Sequence, residues 1–468
     1  YTRKRRLFGV YGQADLAYNN YLFLTLTARN DWSSTLPEDN RSFFYPGATL
    51  GFIVSDAIPA VKNFADFAKV RASWGRTGND AAPYLINSVV IPSNVFFGFG
   101  SFNFPLAGVN AFEISNVIGN KKLQPEITSE YEFGVDLRFF KNRLGIDLAY
   151  YNRTTTDQIF TVPLASSTGY SSQTMNFGEI NNQGIEAMLR ITPVRSDNFS
   201  WDINYTFARN RNEVIELPEG LDKVTINGSY GIEFLAMEGK PLGVYMGHAA
   251  KKDPQGRIIV DGSGIPKAAT DKEIYGDGQR DFTMGLNNTF TYKDLSMGFA
   301  LDWRKGGLMY AYTARINYFV GNATKTMYNE REPFVVPNSV QEVDTDGDGT
   351  PDSYIENTTA VDRSNIGSYW NQTSNSMMSR NHVLDKSFLK LREVTLNYNI
   401  PQKLIKNLPV SNLSLGVYGR NLVIWTPEEN NFVDPEISTF GNDLDSEFGE
   451  FAGGPTARSY GFNLKVTF

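Results

Sequence analysis

The sequence predicts an all-β protein, a transmembrane antiparallel β-barrel, on three observations. Several segments alternate between apolar and polar residues, as strands with one face toward lipid must. Aromatic residues make up 13% of the 468 residues, including 33 Phe and 24 Tyr, which suits the aromatic girdles of a membrane barrel. Short turns alternate along the chain with long polar connections, an arrangement typical of bacterial outer-membrane barrels.

The clearest alternating segment is the last one, residues 458–468, which reads RSYGFNLKVTF. Every even position from Tyr460 to Phe468 holds an apolar or aromatic residue, and the odd positions between them hold small or polar ones. Successive side chains of a strand point to opposite faces, so one face of this segment is apolar and the other is polar. About ten residues of such alternation match a tilted strand that crosses a bilayer. The aromatic last residue is likewise typical of an outer-membrane barrel.

Composition excludes several other classes of protein. No run of about 18 or more apolar residues occurs, so no transmembrane helix is expected. The chain lacks cysteine, which excludes disulfides, thiol nucleophiles and cysteine-ligated metals. A formal net charge of −7 argues against nucleic acid as a partner. The first residues, YTRKRR, lack the apolar stretch of a signal peptide, so we expect the natural amino terminus to lie upstream.

About thirteen segments qualify as membrane strands when the chain is taken in order. The first spans 7–18, and Asn19-Asn20 turns the chain into the second, because Asn tolerates the positive φ that tight turns need. The clearest internal pair turns at Lys141-Asn142-Arg143, and a later hairpin turns at 292–294. In the strand that covers 388–398 the alternation changes phase near Arg392, which predicts a bulge there.

Four long connections separate these hairpins, at about 79–128, 210–280, 305–386 and 426–457. In outer-membrane barrels the short turns lie in the periplasm and the long loops lie outside. That rule places the end of the last strand in the periplasm and, with an odd count, Tyr1 at the cell surface. Bacterial barrels usually have an even number of strands, so we expect further strands upstream and a break in an extracellular loop.

Several segments resemble the SusC/RagA family of TonB-dependent outer-membrane transporters. They are 123–136 (LQPEITSEYEFGVD), 176–186 (NFGEINNQGIE), 387–398 (SFLKLREVTLNY), 419–425 (GRNLVIW) and 434–438 (DPEIS). The resemblance implies a plugged barrel of about 22 strands. Residues 1–468 would then be the C-terminal part of that barrel, and the plug domain, the TonB box and the first strands would lie upstream.

The resemblance also implies active import of oligosaccharides or oligopeptides through the bacterial outer membrane. A SusD-like surface lipoprotein would act as a lid over the barrel, and TonB would supply energy by pulling on the plug. No nucleotide site is then expected in this chain, and no Walker-type glycine loop occurs in it.

One loop has the spacing of a calcium site. Asp344, Asp346 and Asp348 occupy positions 1, 3 and 5 of an EF-hand-type loop, with Gly at position 6 and Asp352 at position 9. The usual Glu at position 12 is absent, because Ile355 stands there. In an extracellular loop even a weak site could be filled, so Ca²⁺ is the candidate cofactor. An acidic, solvated loop tip is the alternative.

No catalytic constellation is found, and we predict that the protein is not an enzyme. The two histidines, His248 and His382, have no metal-ligand spacing, and no Gly-x-Ser-x-Gly elbow occurs. Asp434 and Glu436 could in principle serve a glycosidase, but acidic residues are common in loops. Aromatic residues of the predicted external loops could stack on sugar rings, clasp a peptide or pack against loops or a lid; they are Phe96, Phe97, Phe99, Tyr230, Tyr310 and Trp370.

Three functions are therefore weighed. The first is TonB-dependent import with a SusD-like lid, and the second is a passive porin-type channel complete in itself. The third is a soluble surface-binding β-protein. The odd strand count and the missing signal peptide weigh against the porin, and the alternating faces weigh against the soluble protein.

Overall fold

The fold is dominated by one sheet of thirteen strands, which confirms the predicted all-β class. The computed structural model describes residues 3–97, 100–164, 166–441 and 444–468. The strands follow one another in the sheet in chain order, and the described pairs are antiparallel. They are β1 (Leu7–Tyr18), β2 (Leu22–Ser33), β3 (Ser42–Ile53), β4 (Phe67–Asn79), β5 (Glu126–Phe139), β6 (Leu144–Thr156), β7 (Glu179–Arg195), β8 (Phe199–Glu216), β9 (Phe282–Tyr292), β10 (Leu295–Lys305), β11 (Phe388–Asn399), β12 (Asn412–Trp425) and β13 (Ser459–Thr467).

The connections contain short elements of their own. In the part of the chain that the structure describes, the α-helices are α1 (Val54–Ala57), α2 (Tyr312–Phe319), α3 (Ile366–Trp370) and α4 (Gln402–Ile405). Among the described residues, none of the helices has the length and hydropathy needed to cross a bilayer. Short strands include Lys223–Ser229, Ile232–Met237, Val244–Ala250, Ile258–Val260, Ala268–Asp277, Leu308–Ala311, Ser339–Val343, Ser353–Glu356, Val383–Asp385 and Gly449–Glu450.

The chain divides into two compact units. The first comprises Tyr1–Leu189, Asn210–Val224 and Met237–Gly239, and the second comprises Arg190–Arg209, Thr225–Ala236 and Lys240–Phe468. Strands β1 to β6 therefore belong to the first unit and β9 to β13 to the second.

In the first unit the alternation predicted from sequence gives β1 to β6 one continuous apolar face. One row across this face consists of residues paired in register, namely Leu16, Leu24, Leu50, Ala72, Phe133 and Tyr150. Most of these side chains are half-buried or exposed, as expected of a surface that turns away from a protein core. The tight turn at Asn19 and Asn20 has positive φ at both residues, which confirms its prediction.

The second unit shows the same pattern across β8 to β13. Its row of paired residues consists of Trp201, Phe290, Met297, Leu396, Val417 and Phe462. One polar residue, Asn288, interrupts the apolar face of β9, and its side-chain oxygen accepts a hydrogen bond of 2.9 Å from the Trp201 indole. That bond satisfies a polar group that would otherwise be costly in an apolar environment.

The predicted bulge in β11 lies at Arg392. On one side Ala300 of β10 pairs with Glu393 and the next residue, Leu301, pairs with Leu391, so Arg392 has no partner in the ladder. The pairing with β12 is irregular at the same level. The extra residue shifts the alternation by one position, which keeps the apolar residues on both sides of it on one face.

In the second unit the long connections are packed around their own hydrophobic clusters. One such cluster consists of Ile232, Phe234, Tyr245, Tyr310, Val383 and Phe448. Tyr310 is fully buried and stacks on Phe448 with ring centroids 4.9 Å apart. These connections are therefore folded structures, and their internal strands were not predicted from the sequence.

Candidate functional site

The polar face of the first unit carries charged groups that pair across the strands. Asp31 of β2 accepts hydrogen bonds from Arg29 (2.8 Å) and from the Tyr45 hydroxyl (2.5 Å). Arg71 of β4 binds two carboxylates on the next strands, Glu132 at 3.1 Å and Asp147 at 2.9 Å. Arg29 and Arg71 thus each have an anion on the same or a nearby strand, and such pairs limit the cost of burying charge.

A glycine makes the contact between Arg71 and Asp147 sterically feasible. Gly134 of β5 lies opposite Arg71, and the guanidinium occupies the space that a Cβ at position 134 would need. Arg71 can therefore pass over β5 and reach Asp147 on β6. This explains a glycine inside a strand, where the residue is otherwise unfavourable.

A cavity of about 780 Å³ lies on this polar face of the first unit. Its floor includes Gly47 and Gly75, which pair with each other and leave a depression in the sheet. Glu130 and Arg153 line the cavity in the same row, with 3.9 Å between their charged atoms. A polar depression of this size can hold a hydrated ligand or another part of the protein.

In the second unit an ion-pair network joins the sheet to the connection 426–457. Lys390 of β11 is buried and donates to Asp434 (2.6 Å) and Glu436 (2.5 Å). Arg392, the bulged residue, donates to Glu436 at 2.6 Å and also to Asp302 of β10. The bulged residue therefore adds a second cation to Glu436, which Lys390 also binds.

The network keeps both carboxylates ionised. Burial raises the pKa of Glu436, but hydrogen bonds from Arg392 and Lys390 outweigh it and lower this pKa to about 2. Burial also raises the pKa of Asp434, but hydrogen bonds from Lys390 and Thr456 outweigh this effect and lower the pKa. Groups held ionised by cations suit anchoring rather than proton transfer, so this pair is a structural feature.

The four aspartates of the predicted calcium loop lie at the tip of the hairpin formed by Ser339–Val343 and Ser353–Glu356. Ligand oxygens of Asp344, Asp346 and Asp348 lie within 4.8 Å of one another. The fourth, Asp352, accepts a hydrogen bond of 2.7 Å from the backbone N–H of Thr345 instead. The structure thus brings three of the four residues together.

Backbone amides already bind the Asp344 carboxylate. The N–H groups of Gly347 and Gly349 donate to it at 2.8 and 3.0 Å, and these bonds lower the pKa of Asp344. Both glycines have positive φ, which folds the loop back on its first residue. Carboxylate oxygens in this arrangement fit the donor set of a hard cation such as Ca²⁺.

The aromatic residues selected from the sequence differ in their surroundings. Phe96 is exposed, Tyr310 is fully buried, and Trp370 stacks on Tyr318 with ring centroids 5.9 Å apart. The backbone of Phe97 lies in a short strand, whereas Phe99, like Tyr1, lies outside the described residues. Tyr310 thus packs one connection against another, whereas Trp370 packs within its own connection.

Tyr230 belongs to a group that the sequence did not reveal, which we call the aromatic–arginine cluster: Tyr230, Tyr312, Phe451 and Arg315. The Tyr312 and Phe451 rings stack with centroids 3.7 Å apart, and the Tyr230 ring lies 5.6 Å from Tyr312. The Arg315 guanidinium carbon lies 3.7 Å from the centre of the Tyr230 ring. Because three separate connections supply these residues, no local pattern in the sequence predicts that they lie together.

Comparison with known proteins identifies the family. The family described as "TonB dependent receptor-like, beta-barrel" matches residues 1–422. TonB-dependent receptor P3 of Formosa agariphila is 26% identical over 501 residues, which cover 100% of this chain and 46% of that protein. TonB-dependent receptor SusC of Bacteroides thetaiotaomicron is 26% identical over 322 residues, which cover 64% of this chain and 31% of SusC. The chain spans about half the length of the first curated relatives that it matches.

Solved structures agree on the fold. A chain of the RagAB peptide transporter superposes with a TM-score of 0.71 at 19% identity, over 99% of this chain and 48% of that one. The RagAB peptide importer in its "open-open" state gives a TM-score of 0.70. These matches confirm the resemblance found in the sequence. The chain belongs to the TonB-dependent receptor β-barrels of the bacterial outer membrane, with SusC among its relatives.

Proposed function

We propose that this chain is part of an active importer that carries oligosaccharides or oligopeptides through the outer membrane. The observation that supports the proposal is the similarity to receptors named as TonB-dependent, over 100% of the chain for receptor P3 and over 64% for SusC, together with the RagAB fold. RagAB is named as a peptide transporter, and the resemblance to the SusC/RagA family implies oligosaccharides as well, so both substrate classes are retained.

The parts of the chain take distinct roles in this proposal. The strands form the wall, with the apolar face toward lipid and the charged face toward the interior, where the plug of the whole protein would sit. The packed connections form the external surface on which a SusD-like lipoprotein closes as a lid. TonB supplies the energy through the plug, so that none of the described residues needs to bind a nucleotide.

The test is uptake by whole cells that carry the full-length transporter. Cells are supplied with labelled mixed oligosaccharides or mixed oligopeptides, and accumulation is measured with and without TonB and with and without the neighbouring SusD-like lipoprotein. We expect accumulation of one class to depend on the transporter, on TonB and on the lipoprotein. Accumulation that needs the transporter but persists without TonB would favour the passive porin-type channel instead.

We also propose that the loop of Asp344, Asp346, Asp348 and Asp352 binds Ca²⁺. Three neighbouring carboxylates at the tip of a hairpin support this proposal. Calorimetric titration of Ca²⁺ into the chelator-treated, full-length transporter should detect a site that the double substitution Asp344→Asn and Asp348→Asn removes. Asp39→Asn, in another exposed loop, serves as the control. Equal binding by the double variant and by the unmodified transporter would overturn the assignment.

A further inference from the structure

We propose that the aromatic–arginine cluster is a binding site for an acidic saccharide, a sugar chain that carries carboxylate or sulfate groups. The proposal rests on the proposed import function and names a substrate class for it. It stands on three observations: open aromatic surface, a residue held in an unfavourable backbone conformation, and a cation without a carboxylate partner.

The first observation is that aromatic surface stays open although a large hydrophobic core lies beside it. Tyr230 and Phe451 are 42% and 41% exposed, whereas Phe448, three residues before Phe451, is fully buried. Phe451 and Tyr230 lie nearly parallel, with an interplanar angle of 19°. Near-parallel exposed rings offer flat surfaces on which the C–H face of a sugar ring can stack.

A buried carboxylate holds this arrangement in place. Glu450 is fully buried, and its two side-chain oxygens accept hydrogen bonds from the Thr313 N–H (2.7 Å) and hydroxyl (3.0 Å) and from the Gly453 N–H (2.9 Å). These bonds fasten the segment around Phe451 to the start of α2. Phe451 is thereby positioned against Tyr312 before any ligand arrives.

The second observation concerns the backbone of Tyr230. The strands Lys223–Ser229 and Ile232–Met237 are joined by a two-residue turn in which Tyr230 and Gly231 both have positive φ, +49° and +84°. Asn, Asp or Gly normally occupies the first position of such a turn, because a bulky side chain is strained there. The strain of a tyrosine at this position must be offset by the contacts of its side chain, which here are those with Tyr312, Phe451 and Arg315.

The third observation is the charge of Arg315. Its Nε donates to the Gln372 side-chain oxygen at 2.9 Å, and its guanidinium lies over Tyr230, but it forms no salt bridge within the described part of the chain. In the same unit the half-buried Arg304 and Arg392 each bind a carboxylate, whereas Arg280 donates to the Lys386 carbonyl. An anion on the ligand would complete the pairing of Arg315.

The groups of the cluster favour a saccharide over a peptide. Extended peptides are commonly held by pairing with the edge of a sheet, such as the edge strand Lys223–Ser229, which ends immediately before Tyr230. The cluster instead combines ring faces, the hydroxyl groups of two tyrosines and one guanidinium. These are the groups that stack on sugar rings, bind sugar hydroxyls and pair with an acidic substituent.

The experiment is equilibrium binding by the full-length transporter, purified from the outer membrane and titrated with defined probes. The probes are a galacturonate hexamer, a sulfated hexasaccharide, a neutral glucose hexamer and hexaglutamate. We expect one or both acidic saccharides to bind more tightly than the neutral hexamer. Phe451→Ala and Arg315→Gln should each weaken that binding at least about tenfold. Added salt should weaken binding by the unmodified transporter but have little effect on the Arg315→Gln variant.

Tyr230→Asn is the decisive variant, because it separates binding from folding. Asn suits the positive φ of the turn, so the thermal midpoint of the variant should not fall, while its affinity for the acidic saccharide should drop about tenfold. Tyr230→Phe should keep most of the stacking. Phe319→Ala, which removes an exposed aromatic ring at the end of α2, is the matched control and should leave binding unchanged.

Three results would overturn the proposal. The first is that neither acidic saccharide binds the folded transporter. The second is that an acidic saccharide binds but the cluster variants do not alter its affinity. The third is that hexaglutamate binds more tightly with the same dependence on Tyr230, which would assign the site to peptides. Binding at equilibrium needs no TonB, so TonB-dependent uptake without saccharide binding would refute this inference alone. Saccharide binding with TonB-independent uptake would refute the import mechanism alone.

Discussion

At the residue scale, His382 is a buried side chain with two nitrogens that the described residues leave unsatisfied. Its side chain is 1% exposed, and neither ring nitrogen has a hydrogen-bond partner among the described residues. Burial first, and then the nearby Arg315 charge, lower the pKa of His382 to about 3. The histidine is therefore neutral in the folded protein over the whole physiological range.

This shift predicts a loss of stability at mildly acidic pH. In the unfolded chain His382 has a pKa near 6.5, so the stability that depends on a neutral imidazole is complete above that value and decreases as pH falls toward 3. Between pH 7 and pH 5 we expect the opening free energy of segment 376–385 to fall by about 2 kcal/mol. Hydrogen exchange of that segment, corrected for the intrinsic pH effect, measures the change.

His382→Phe serves as the control for this prediction, because phenylalanine cannot take up a proton. The difference in protection between pH 7 and pH 5 should shrink in the variant by most of the predicted amount. An equal difference in both proteins would show that other groups cause the pH dependence.

The residue scale also shows where sequence reasoning stops. Tyr230 and Tyr310 are equivalent as aromatic residues of long connections, yet one is 42% exposed and the other is fully buried. Their environments depend on Phe448 and Phe451, which lie more than a hundred residues away along the chain. Such contacts leave no periodic signal, so alternation could not distinguish the two tyrosines.

At the element scale, β11 is a strand of the main sheet and also carries the cations that bind the connection 426–457. Lys390 and Arg392 lie on either side of Leu391 and hold Asp434 and Glu436 of the connection 426–457. The phase change at Arg392 was predicted from the sequence, because the apolar residues on its two sides are out of step. The carboxylate partners of Lys390 and Arg392 were not predicted, since 42 to 46 residues separate the two cations from Asp434 and Glu436.

Removing Lys390 should release the connection. Lys390→Met removes the buried cation that binds the half-buried Asp434 and Glu436, and breaking a buried pair typically costs about 3–5 kcal/mol. We expect protease cleavage within 426–457 to accelerate in the folded transporter. Lys403→Met, which changes an exposed lysine of α4, should have no effect. Unchanged cleavage in Lys390→Met would mean that the network does not hold the connection.

Deletion of Arg392 should prevent assembly of the strand. Without the bulged residue, the segment on one side of the deletion must shift by one position, which turns its apolar residues to the polar face. The deletion variant should therefore fail to reach the folded, heat-modifiable form in the outer membrane. Deletion of Gly454, an exposed residue of a connection, is the control. A folded Arg392 deletion variant would show that the bulge is dispensable.

At the scale of the whole molecule, the alternation of apolar and polar residues was sufficient to predict the main sheet. It predicted an all-β chain, about thirteen strands and the positions of several turns, because a strand between lipid and a polar interior must alternate over its whole length. The connections obey no such rule. Their short strands and hydrophobic clusters depend on contacts among segments that are distant in sequence, so the candidate site could not be predicted beyond the acidic loop.

A charge on the lipid-facing side should interfere with insertion far more than the same charge one residue away. Phe462 of β13 lies on the apolar face, and the next residue, Asn463, lies on the polar face. Phe462→Arg should cost about 2–4 kcal/mol if the residue lies near the bilayer midplane, whereas Asn463→Arg should cost much less. The folded fraction recovered from the outer membrane measures both. Equal recovery would contradict the assignment of the two faces.

The separate packing of wall and connections also bears on how such proteins diverge. The connection between β10 and β11 enters and leaves the sheet on adjacent strands, and it contributes to hydrophobic clusters outside the sheet. A genetic exchange with its endpoints in those two strands would replace the connection without altering the pairing register of the wall. Lineages can thus acquire new external surfaces by recombination while they inherit the membrane-spanning framework unchanged.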